Sequence, residues 1–175
     1  MCVLRRVLVV VLMFLSSLAA AQQSDQMVAE QVLGPQWKRL SRRSGMIFAG
    51  TVLAVATPIP AADRPAPTVT PVALPAVQFS FRVDEPIAGV ERSQILTIHE
   101  WTGALSMHRP MRAGEHILIF LYPPSRLGLT SPVGGSQGQF ALDPSGKNLS
   151  NNSGRTSDRV TVLQLERAIR HAREE

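Results

Sequence analysis

Beyond residue 45, every apolar run in the 175-residue chain has strand length and ends at turn residues. That spacing constrains the fold most. A helical core needs apolar positions recurring every three or four residues over ten or more, and such a stripe occurs only near the C-terminus. Met46–Val55 (MIFAGTVLAV) is apolar on both faces, which predicts a well-buried strand with Gly50 at a bulge or a close backbone approach. Val77, Phe79, Phe81 and Val83 alternate with Gln78, Ser80, Arg82 and Asp84, the period of a strand with one buried and one wet face. Ser93–Trp101 predicts a third strand, with Leu96 and Ile98 on one face and Ile95, Thr97, His99 and Trp101 on the other. His116–Tyr122 is the most apolar strand beyond residue 21, and Pro123-Pro124 stops it; Gly138–Leu142 reads as a short fifth strand. Between the first two strands, Thr57–Ala76 carries Pro58, Pro60, Pro65, Pro67, Pro71 and Pro75. Neither helix nor central strand survives that density of missing donors, so residues 57–76 read as an extended, proline-rich loop.

Helices are expected only at the two ends. Residues 22–44 read as a polar segment broken at Gly34-Pro35, then a short helix over Gln36–Ser44. There Trp37 and Leu40 face inward, and Lys38, Arg39, Arg42 and Arg43 form a solvated face. Residues 150–175 read as a polar linker and a C-terminal helix. Thr161 and Gln164 have capping-box spacing, Val160 and Leu165 occupy the staple positions, and Val162, Leu165, Ile169 and Ala172 make one apolar stripe. Short strands with terminal helices predict a mainly β fold, either a five-stranded antiparallel barrel or a sandwich, over residues 45–149.

The first 21 residues read as an address. Arg5 and Arg6 precede an unbroken apolar run, Val7–Leu15, and small residues at Ala19 and Ala21 suit cleavage before Gln22. A membrane span needs about 20 apolar residues, more than this run supplies. Residues 1–21 are therefore expected to be a signal peptide, and the chain to be periplasmic or secreted. Losing them removes Cys2, the only cysteine, and lowers the net charge from +5 to +3 by removing two arginines. No disulfide framework or thiolate metal site is then available. The residual charge is small and lacks a clustered basic face with interleaved aromatics, so nucleic acid is not an expected partner.

Four stretches carry a resemblance. Ser44–Val52 (SGMIFAGTV) resembles the opening S-x-x-I-F-x-G-T-V of tissue-inhibitor-of-metalloproteinase-like, or netrin-module-like, barrels in exported bacterial proteins. Phe79–Val90 resembles their second strand without its turn lysine, Arg112–Tyr122 their G-E-x-Y-L-x-F-L strand, and Gly134–Leu142 their late G-x-x-Q-G-x-F element. The resemblance covers residues 44–149 and implies an oligonucleotide/oligosaccharide-binding (OB)-like five-stranded barrel. It carries no functional residue across. The animal inhibitors chelate a protease zinc through an N-terminal cysteine, and this chain lacks one after residue 2.

Catalytic chemistry finds no motif. There is no Gly-x-Ser-x-Gly elbow, no HExxH and no phosphate loop at Gly134–Gly138. His99, Glu100, His108, Glu115 and His116 are the only grouping that resembles metal ligands, and their strand spacing favours ordinary core or surface roles. No catalytic residue, metal or cofactor is therefore assigned. Trp101, Arg109, Arg112 and Tyr122 fall near strand ends and in the loop between the third and fourth strands. An aromatic with nearby guanidinium groups suits a recognition surface for an envelope protein or a polysaccharide. The expected function is a non-catalytic exported binding module. The alternatives are an envelope protease inhibitor that works without cysteine chelation and, less favoured, a metal-dependent hydrolase built on the histidine–glutamate grouping.

Overall fold

A computed structural model describes residues 24–56, 76–149 and 160–174. The expected signal peptide (1–21) and nearly all of the proline-rich loop (57–76) lie outside them. The order of elements is α1 (24–33), α2 (Trp37–Arg43), β1 (Met46–Ala56), β2 (Ala76–Ala88), β3 (Ile95–Trp101), a 3-10 turn (Thr102–Met107), β4 (His116–Leu121), a second 3-10 turn (Gly135–Gly138), β5 (Gln139–Ala141) and α3 (Val162–Glu174). The five strands form one antiparallel sheet in the order β3-β2-β1-β4-β5. The ladders do not close it into a barrel: β3 and β5 are its two edges.

Strand β1 explains its own composition. It pairs with β2 along one edge and β4 along the other. Ile47 and Ala49 pack into a core shared with the helices, while Phe48 and Val52 pack into a second core on the opposite face. Its neighbour β4 divides the same way, with Leu118 and Phe120 toward the helices and Ile117, Ile119 and Leu121 toward the other core. A strand buried on both faces must be apolar throughout, which is why neither alternates. The alternating face of β2 supplies Val77, Phe79, Phe81 and Val83 to the second core. There Phe48 meets Phe81 edge to face, with ring centroids 5.6 Å apart.

Three register irregularities, between Ile47 and Phe48, between Ala49 and Gly50 and between Val52 and Ala54, interrupt the β1–β2 ladder. Past the one at Ala49–Gly50, β2 changes allegiance, and Ile87 joins the helix-side core. At the second irregularity Ala49 faces Glu85 and Gly50 faces Val83, so Asp84 is the extra residue of a bulge. A Cβ on Gly50 would lie 2.4 Å from the Arg82 carbonyl oxygen. The close approach expected at this glycine is thus real.

The three helices cover one face. The C-terminal helix starts as its sequence predicts: Gln164 N–H donates to Thr161 Oγ1 (3.3 Å), and Thr161 N–H donates to Gln164 Oε1 (3.0 Å). Its buried stripe is Val162, Leu165, Ala168, Ile169 and Ala172. Two sequence expectations need correction. Residues 24–33 form a helix where the sequence reads as a polar segment; its apolar side is only Ala29, Val32 and Leu33, too slender a stripe to stand out. The basic face of α2 is more than solvated. Arg42 Nε donates to the Ala172 carbonyl (3.0 Å), while Arg173 donates to the carbonyls of Ser41 and Ser44 (2.8 Å to Ser44). Each helix thus lends a guanidinium to the other's C-terminal carbonyls, which have no partners within their own helix. Among the described residues no helix is long and apolar enough to cross a membrane.

Gly50→Ala is expected to lower unfolding free energy by about 1–3 kcal/mol, because β1 and β2 must separate to admit the methyl. Urea unfolding of the purified protein checks it; an unchanged midpoint would mean that the strands do not meet this closely.

Candidate functional site

The histidines and glutamates grouped in the sequence separate into two places. Among the described residues, no three His, Cys, Asp or Glu side chains converge as metal ligands. His99 is exposed on the outer face of β3, and Glu100 is fully buried on the inner one.

The first place is a buried polar pair. Loop residue His108 reaches back to β3, and its Nε2 lies 2.8 Å from Glu100 Oε2. Its Nδ1 lies 3.0 Å from the Arg109 carbonyl and 3.2 Å from the Gln139 amide on β5. One imidazole therefore bridges the two edge strands of the sheet. The loop can lie here because Gly134 and Gly135 both adopt positive φ, and a Cβ on Gly135 would sit 2.3 Å from the Met107 carbonyl oxygen. The Glu100 hydrogen bond raises the His108 pKa, burial opposes it, and the Arg109 carbonyl adds to the rise. A charged ring donates from both nitrogens and offers no acceptor. Turned end for end, the Gln139 amide would present oxygen to Nδ1–H and satisfy Gln139 Oε1, which otherwise has no partner.

The second place is a polar row across the helix-bearing face. Register sets Thr51 on β1 directly between Arg82 on β2 and His116 on β4. Asp84, the bulged residue, completes it. Thr51 Oγ1 lies 2.8 Å from Asp84 Oδ2, 3.2 Å from Arg82 Nη2 and 3.1 Å from His116 Nδ1. Arg82 Nε also donates to Asp84 Oδ1 at 2.9 Å. The row ends at a cleft of about 300 Å³, lined among others by Arg109, Glu115, His116, Leu142, Asp143 and Pro144.

Both carboxylates of the cleft are already engaged. Glu115 accepts from Arg109 Nη1 (3.3 Å) and from Arg112 N–H (3.0 Å). Asp143 accepts from Asn148 Nδ2 (2.8 Å), Ser145 Oγ (2.7 Å) and Lys147 N–H (3.2 Å). Hydrogen bonds led by those from Asn148 and Ser145 hold its pKa far below the usual carboxylate range. His116 Nε2 makes no hydrogen bond among the described residues. Among the described residues it and the remaining Arg109 N–H groups are free to bind, in a cleft that the apolar Leu142 and Pro144 also line.

Of the four recognition residues expected from sequence, only Arg109 lines this cleft. Arg112 is exposed and enters through its backbone N–H. Trp101, half exposed, lies over Gly103 at the end of β3. Tyr122 packs against the helix-side core, with the Arg43 guanidinium 5.7 Å from its ring centre. No hydrogen bond, ion pair or ring contact joins the four among the described residues. Thr51, Arg82, Asp84 and Gln139 were missed as site residues. Alternation in β2 sets Arg82 and Asp84 on its wet side, but only the pairing with β1 brings Thr51 between them and His116.

The His108 shift has a pH consequence. A raised folded-state pKa contributes stability that is complete below the unfolded value, about 6.5, and is lost as pH rises through the folded value. Unfolding free energy should therefore fall as pH rises above about 6.5 more steeply in the wild type than in a Glu100→Met/His108→Leu double variant. His108→Ala alone should cost about 3–5 kcal/mol, since it leaves the Glu100 charge buried without a partner. Denaturant titrations at stepped pH check both; parallel profiles for wild type and double variant would refute the linkage.

Comparison with known proteins adds no relative: no family model, curated protein or solved structure matches this chain.

Proposed function

We propose that this chain is an exported, non-catalytic binding module of OB-like barrel form, related to the tissue-inhibitor-of-metalloproteinase-like proteins, whose cleft beside His116 takes a glycan. The barrel reading is supported by residues 129–133, which run between the sheet's separated strands. Leu129 bridges His99 of β3 in parallel, with Thr130 N–H donating to the His99 carbonyl at 2.9 Å. Pro132 bridges Leu121 of β4, and Tyr122 N–H donates to the Ser131 carbonyl at 3.0 Å. Export rests on the expected leader at residues 1–21.

The glycan reading rests on the free groups of the cleft. Sugar hydroxyls both donate and accept, and sugar rings carry apolar C–H faces. An unengaged imidazole nitrogen, spare guanidinium N–H groups and the apolar surface of Leu142 and Pro144 complement all three. The Thr51 hydroxyl donates a hydrogen bond to Asp84, and Arg82 and His116 face its two lone pairs, an arrangement that favours positioning over nucleophilic attack.

Isothermal titration of residues 22–175 with cello-, chito- and malto-hexaose tests the proposal. At least one should bind, and Arg109→Ala should weaken it about tenfold, the worth of one hydrogen bond to a charged group. The melting temperature should barely move, since the Arg109–Glu115 pair is exposed. Absence of binding by folded protein for all three sugars would refute the glycan assignment.

A further inference from the structure

We propose that Thr51, Asp84 and Arg82 are positioning residues that hold neutral His116 in its Nδ1–H tautomer, so that Nε2 can only accept, and that the cleft thereby selects a ligand group that donates: a free hydroxyl. The ligand half of this inference rests on the glycan reading above; the tautomer half does not. The geometry decides the proton positions one at a time. Thr51 Oγ1 has one proton and two lone pairs. Its shortest contact, 2.8 Å, is to Asp84 Oδ2, and an ionised carboxylate only accepts. The hydroxyl proton therefore lies on that line. Arg82 Nη2, 3.2 Å away, only donates and takes one lone pair. The remaining lone pair faces His116 Nδ1 at 3.1 Å, and two acceptors cannot share a contact without a proton. The proton must belong to Nδ1.

A neutral imidazole has one N–H, so Nε2 carries the lone pair. Packing supports the same orientation. A Cβ on Gly146 would lie 3.0 Å from His116 Nδ1, so the Asp143–Gly146 turn runs close beside the Nδ1 side of the ring and leaves no room there for a side chain. Arg82 is held in turn by its second hydrogen bond, to Asp84 Oδ1. Every hydrogen-bonding position of Thr51 is used, and the His116 ring nitrogen left without a hydrogen bond among the described residues is Nε2. A hydroxyl that donates to it can accept from the neighbouring Arg109. A carbonyl, an ether or a phosphodiester oxygen has no proton to give.

Long-range proton–nitrogen correlation spectra of uniformly nitrogen-15-labelled residues 22–175, recorded where His116 is neutral, read the tautomer without any ligand. The wild type should show His116 Nδ1 as the protonated nitrogen and Nε2 as the bare one. Thr51→Val, which keeps the shape and loses the hydroxyl, should lose that preference and admit the Nε2–H form. Thr51→Ser should restore the wild-type pattern. A wild-type Nε2–H tautomer, or a Thr51→Val spectrum unchanged at His116, would overturn the positioning role. Any hexaose that binds should shift the bare Nε2 resonance, and its fully O-methylated counterpart should bind at least tenfold more weakly; equal binding would overturn donor selection. If no sugar binds while the tautomer pattern holds, the glycan reading falls and the positioning relay stands.

Discussion

Strand β1 is the constraint on which the molecule depends. It is hydrogen-bonded along both edges and buried on both faces from Ile47 to Val52, so four surfaces must be satisfied at once. Two strands supply the edges, the helices supply one face, and the phenylalanine-rich second core supplies the other. Burying Ile47, Phe48 and Val52 completely contributes on the order of several kcal/mol. That gain draws the helices onto a sheet whose β2–β3 portion is otherwise wet on that side.

The same strand positions the chemistry. Its fit against β2 requires glycine at residue 50 and extrudes Asp84 as a bulge, and the bulge turns a surface carboxylate toward Thr51. Fixed dihedrals and shared hydrogen bonds along the row, not proximity in sequence, then give His116 its orientation. Bulges often re-aim side chains beside functional sites, and here the bulge carries the far end of the relay.

The buried Glu100–His108 pair solves a different problem. The sheet is open, and β3 and β5 lie at its opposite edges. A single imidazole held between Glu100 on β3 and Gln139 on β5 ties those edges together inside apolar surroundings. The cost of burying the charges is offset only while both partners are present, which makes this corner dependent on pH in a way the apolar cores are not.

Much of this was legible in the residues. Period-two alternation in Val77–Val83, the apolar length of His116–Leu121 and the capping box at Thr161 are local signals, each acting within one element, and each appears in the fold as read. So did the close approach at Gly50, because only glycine tolerates it. The slender helix at 24–33 escaped notice because its stability comes from the core it packs on, not from its own pattern. The row Arg82–Thr51–His116 and the bridge Glu100–His108–Gln139 join residues from three elements each. Sequence determined which side of each strand is wet; tertiary pairing decided which wet residues meet, because register is a property of two strands and is encoded in neither alone.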